Sequence, residues 1–112
     1  MVSGESLLFI HQSTWQRSML EKYGGEICLL DATYKTTKFA IPLYFLCVLS
    51  NYGYLVVASF VTESESSASI KEALTILKEW NENWKARYFM TDFDEREIFA
   101  LDAVFEGSNN WI

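Results

Sequence analysis

The sequence is poor in the residues that build metal-bound or cross-linked small domains. It has one histidine, His11, and two cysteines in 112 residues. Cys28 and Cys47 show no zinc-ligand spacing, and both sit inside apolar runs, where a free thiol behaves as a small buried hydrophobe. Neither a zinc site nor a disulfide framework is expected. Positive charge is scarce as well. Nine Lys and Arg stand against fifteen Asp and Glu, a net charge of −6, which is the wrong sign for a chain that would hold a phosphate backbone by itself. No apolar run reaches the roughly 20 residues of a membrane-crossing helix, and the N-terminus lacks the basic start and apolar segment of a signal peptide. A reducing compartment is the default expectation. Repeats, low-complexity segments and linkers are also missing, which points to one domain.

What the chain does have is apolar material: half its residues are hydrophobic and 16% are aromatic, ample for a core. The stretch that organises it is Ile27-Cys28-Leu29-Leu30-Asp31, four apolar residues running into a carboxylate. Continuous apolar runs of this kind fit a strand buried on both faces. A charge at the edge of such a core must be paired, hydrogen-bonded or bound to a metal.

Around this strand the pattern alternates legibly. Leu7 to Ile10 is an apolar run too short to assign to strand or buried turn. Ser13 with Gln16 forms a capping box, and a helix should follow, with Trp15, Met19 and Tyr23 on one core-facing stripe and Gly24-Gly25 as its stop. Lys35 to Pro42 reads as a polar connection. Leu43 to Leu49 and Leu55 to Val61 read as two further strands around an Asn51-Tyr52-Gly53 turn, an antiparallel meander. Thr62 to Ser69 is a polar loop, and Ser69 with Glu72 is a second capping box. It opens a helix with Ile70, Ala73, Leu74, Leu77 and Trp80 on one face. Arg87 to Thr91 is a fourth strand ending on Asp92. Asp94 with Glu97 is a third capping box, for a helix carrying Ile98, Leu101 and Phe105 and closed by Gly107. Asn109 to Ile112 begins a further element.

A helical crossover between the third and fourth strands allows the fourth to lie parallel to the first. Adjacent parallel strands would bring Asp31 and Asp92 together. Two carboxylates at close range stay ionised only with a cation between them, and Mg²⁺ or Mn²⁺ suits such oxygen donors. Each acid could equally cap the turn or helix that follows it. Glu97 and its first-turn neighbours are structural on the dipole argument, and Glu63 and Glu65 are solvated loop residues. Lys35 and Lys38 are placed to touch a phosphate or to solvate a hairpin tip. Trp80, Trp84 and Trp111 are either core or stacking surfaces.

The run Asp31-Ala32-Thr33-Tyr34-Lys35-Thr36, the apolar hairpin after it, Ile76-Leu77-Lys78 on a helix and Phe89-Met90-Thr91-Asp92 resemble the catalytic core of the Mutator-like-element (MULE) transposases. Relatives of that core occur in domesticated zinc-finger SWIM-domain proteins. The resemblance spans the chain from about Leu7 onward. It implies an α/β ribonuclease H-like fold: a mixed sheet of three antiparallel strands, a crossover helix and a fourth strand parallel to the first, cut short before strand five. Residues 1–25 would be a helical lead-in and 26–112 a partial core. In such a family two aspartates and a later acid hold two Mg²⁺ or Mn²⁺ ions for phosphodiester cleavage and strand transfer. Asp31 matches the first acid and Asp92 the second, as catalytic residues and metal ligands. The third acid belongs on a helix beyond strand five, a position that neither Asp102 nor Glu106 occupies. The resemblance therefore implies a fragment of a DNA transposase, inactive alone, with DNA as the parent's partner, a nuclear location and a possible homo-oligomer. The alternative is a non-catalytic, domesticated interaction module with a protein partner in a larger regulatory protein.

Overall fold

In the computed structural model the chain runs as β1 (Leu8–His11), α1 (Thr14–Tyr23), β2 (Ile27–Thr33), β3 (Leu43–Ser50), β4 (Gly53–Thr62), α2 (Ser67–Trp80), β5 (Tyr88–Met90), α3 (Glu95–Val104) and β6 (Asn109–Trp111). The structure describes residues 8–33, 43–62, 67–91, 95–105 and 109–111. The strands form one six-stranded mixed sheet in the order β1-β4-β3-β2-β5-β6. Strands β2, β3 and β4 are the antiparallel meander. The α2 crossover then returns the chain so that β5 pairs in parallel with β2, Leu29 opposite Met90.

Local chemistry starts and stops these elements where the sequence places the signals. The Ser13 hydroxyl accepts the Gln16 N–H at 3.1 Å, and the Gln16 carboxamide oxygen accepts the Ser13 N–H at 2.8 Å. Both donors would otherwise be orphaned at the α1 N-terminus. Gly24 ends the helix by close approach, since a Cβ there would collide with the Leu20 carbonyl. The β3–β4 hairpin turns through Gly53 at φ 111°, a left-handed backbone that favours glycine.

Register sorts the strand residues into two faces. Cys28 lies opposite Val48 and Phe89, Leu30 opposite Leu46, and Leu46 opposite Ala58. All six join one buried cluster with Leu20 of α1, Ile70, Ala73, Leu74 and Leu77 of α2, and Ala100 and Leu101 of α3. The three helices therefore cover the same face of the sheet. Trp84 closes the end of this core against Phe105, with ring centroids 4.6 Å apart; it is core, not a stacking platform.

A bulge interrupts the β3–β4 ladder: Leu46 pairs with Ala58 and Cys47 with Val56, which leaves Val57 extra. The β1 ladder on the other side of β4 ends at His11–Ser59, two residues from Val57. Two glutamines continue it. Gln12 Nε2 donates to the Val57 carbonyl at 3.0 Å and Gln16 Nε2 to the Val56 carbonyl at 3.2 Å. Asn81, just past α2, donates to Gln12 Oε1 at 2.9 Å and to the Leu77 carbonyl at 2.8 Å.

The structure departs from the sequence reading at several points. Leu8–His11 is an edge strand, so the lead-in contributes to the sheet. Asp31 is not the last residue of its strand, because β2 continues to Thr33 through antiparallel pairing with β3. Trp15 does not face the core: it is 56% exposed, and Leu20 is the buried anchor of α1. Helix α2 starts at Ser67, which puts Ser69 and Glu72 inside the helix and not at its cap. Trp80 is partly exposed at its end. The sheet is not cut short before a fifth meander-and-crossover strand. Asn109–Trp111 pairs in parallel with β5, so β5 is not an open edge.

If the helices cover one face only, two leucines three residues apart should respond very differently. Leu46 is fully buried and Leu49 is 45% exposed. Leu46→Ala should cost about 2–5 kcal/mol in urea unfolding, and Leu49→Ala within about 0.5 kcal/mol. Equal losses would show that both faces are packed.

Candidate functional site

The residues that alternate with the core row point to the other face. There His11, Ser59, Phe45 and Asp31 line up across β1, β4, β3 and β2. The next row is Val56, Cys47, Leu29 and Met90. These residues lie outside the buried cluster. Sheets with one solvated face usually alternate apolar-in with polar-out, but here most outward positions other than His11, Ser59 and Asp31 are apolar. Tyr54 and Val56 are 50% and 41% exposed on this face, and Phe9 at its edge is 70% exposed. The Tyr54 side chain extends over the face, its hydroxyl 4.0 Å from Met90 Sδ.

Asp31 is the one acid at the described positions of this surface. It is half-buried and lies opposite Phe45. Cys47, one row away, is nearly buried; that burial, and secondarily the Asp31 carboxylate, push its thiol above its ordinary value. Cys28 points the other way, into the core. Burial drives its thiol up to about 12, partly opposed by the Trp84 indole. Neither cysteine is a poised nucleophile.

Of the acids expected to act together, the structure describes Asp31 alone. Asp92, Lys35 and Lys38 lie outside the described residues. The parallel register puts Leu29 opposite Met90, so the residues two before each aspartate are in step. Among the described residues no three His, Cys, Asp or Glu side chains gather closely enough to share an ion. Glu97, read as a first-turn helix acid, is 1% exposed; its carboxyl belongs to the helix-side interior and not to a solvated turn. A cleft of about 420 Å³ between α1 and the loop after α2, lined by Arg17, Glu21, Asn81, Glu82 and Trp84, lies on the helix side of the sheet and holds none of the expected site residues.

The apolar outer face was not singled out as a site by the sequence reading. Its signal is nevertheless present in the uninterrupted apolar runs Leu43–Leu49 and Leu55–Ala58, which lack the polar alternation of a solvated face.

Residues 5–110 match a family described as the RNaseH-like domain of Zinc finger SWIM domain-containing protein 1/3. No curated protein matches the chain.

The buried Cys28 thiol has a consequence for stability. The unfolded thiol ionises near 9.0 while the folded one is held to about 12. Stability is therefore fully present below pH 9 and is lost as pH rises from there through about 12. Urea midpoints across this window should fall by roughly 1 kcal/mol of stability per pH unit. Cys28→Ala should flatten that slope, and an unchanged slope would rule out the thiol as its source.

Proposed function

Because the chain belongs to the RNaseH-like domain family of zinc finger SWIM domain-containing proteins 1 and 3, we propose that it is a transposase-derived docking module that works by protein contact within a larger regulatory protein. The observation that carries this reading is the outer face of the sheet. It is apolar across β4, β3, β2 and β5, and it is not covered by any of the described helices. Contiguous exposed apolar surface on a folded domain marks a place where another element binds.

A second reading keeps the ancestral chemistry of a MULE-type transposase core, and the register favours it: Leu29 opposite Met90 keeps the β2 and β5 approaches to Asp31 and Asp92 level. These two carboxylates would hold Mg²⁺ or Mn²⁺. Their hard oxygen donors fit such an ion in kind, and Asp31 is the one donor among the described residues of this face. The ion would supply activation of water or of a 3′-hydroxyl. The chain's own part would be to bring those carboxylates together, Asp31 from within β2. Lys35 and Lys38 would approach the phosphate, DNA would be the partner, and the location nuclear.

One titration separates the two. Calorimetric injection of Mn²⁺ into the chain and into Asp31→Asn should give superimposable traces if the face is a docking surface. Binding that Asp31→Asn abolishes would overturn the docking reading in favour of the metal site.

A further inference from the structure

We infer that the free edge of β1 takes up an extended segment of a partner protein, which pairs with it as a further strand of the sheet. The inference goes beyond the docking reading and does not depend on it, since it concerns the backbone edge and not the outer face. In the order β1-β4-β3-β2-β5-β6, β1 has a neighbour on one side only among the described strands. Alternate residues of such a strand turn their N–H and C=O groups away from the sheet, and an extended backbone matches that row of donors and acceptors. Edge strands are normally guarded by charge, proline or a bulge. Leu8-Phe9-Ile10-His11 has no Lys, Arg, Asp, Glu or Pro, and its register runs without a shift from Leu8 opposite Thr62 to His11 opposite Ser59. The other end of the sheet is a poorer template: β6 is three residues long, two of them asparagine, a type depleted in strands.

The rows that end on β1 set the chemistry of the incoming segment. On the core face Ile10 continues the row of Phe60, Tyr44 and Ala32. Phe60 and Tyr44 are buried and stacked, with ring centroids 4.7 Å apart, whereas Ile10 at the end of that row is only partly buried. On the outer face Phe9 continues the row of Val61 and Leu43, and it is 70% exposed. A strand laid along β1 places one residue beside Ile10 and the next beside Phe9, within the roughly 5 Å at which cross-strand pairs interact. Two successive apolar residues, β-branched or aromatic, cover both. Main-chain bonds then supply affinity and these two side chains specificity, as in β-augmentation. A second copy is the weaker occupant. It would set two chains of net charge −6 edge to edge, and their repulsion acts against a ladder of only four residues. A separate segment without acidic residues meets no such repulsion.

The test uses a capped peptide of about ten residues, the length of one strand, with Val-Ile at its centre and Ser and Thr around it. Its fully N-methylated counterpart has the same side chains and no backbone donors. Titrated into the whole chain and followed by nuclear magnetic resonance, the first should bind saturably, shift the β1 amides and slow their hydrogen exchange. The N-methylated peptide should not bind. Phe9→Lys, at an exposed edge position, should weaken binding several-fold or more, because Lys guards natural edges. Equal binding of the N-methylated peptide would place it on an apolar face and overturn the strand pairing, while the docking reading stands. A doubled mass in sedimentation that Phe9→Lys reverses would assign the edge to a second copy and likewise overturn the inference. If neither peptide binds and β1 exchange is unchanged, the inference fails, and the docking reading is decided separately by the Mn²⁺ titration.

Discussion

Side-chain alternation at a period of two is the constraint on which the fold depends. Leu30, Leu46, Ala58 and Phe89 meet the helices because they occupy one face in register. Moving β2, β3 or β5 by one residue would exchange Leu30, Leu46 or Phe89 for Leu29, Cys47 or Met90. In most half-solvated sheets that exchange is forbidden by polarity. Here both sets are apolar, so polarity alone enforces register weakly. Geometry does the rest: the Gly53 turn sets the β3–β4 pairing, the Val57 bulge resets it, and the Gln12 and Gln16 carboxamides hold the bulge in place.

Much of this was legible in the residues. The Ser13–Gln16 capping box, the meander, the crossover helix with Ile70, Ala73, Leu74 and Leu77 inward, and the parallel return strand all follow from local chemistry and periodicity. Asp31 was legible as an acid in an apolar strand, though not as a mid-strand residue, because the pairing that carries β2 on to Thr33 comes from β3, a tertiary partner. Trp15 misled because its spacing with Met19 and Tyr23 suggests one core-facing stripe, whereas α1 buries Leu20 and leaves Trp15 56% exposed. Glu97 was legible as a structural first-turn acid of α3, though not as a buried one. β6 is three residues long, too short for any periodic signal.

The family assignment and the surface chemistry bear on function differently. Membership in the RNaseH-like family of SWIM-domain proteins accords with the mixed α/β sheet. It does not by itself specify a reaction, because one fold carries many chemistries and the site decides among them. On this chain the aspartate stands in a broad apolar surface beside Phe45, Leu29 and Cys47, surroundings suited to excluding water beneath a docked element.

The link from Asn81 through Gln12 to the Val57 carbonyl has a dynamic consequence. It joins the end of α2, the entry to α1 and the centre of β4 by side chain alone, across segments far apart in the chain. Terminal strands commonly fray ahead of the rest of a domain. Here, loosening the β1–α1 segment would strip the part-buried bulge carbonyl of its Gln12 donor and the Asn81 carboxamide of its Gln12 acceptor together. Slow amide exchange in β1 and α1 should therefore track global unfolding, making the N-terminal segment part of the cooperative unit.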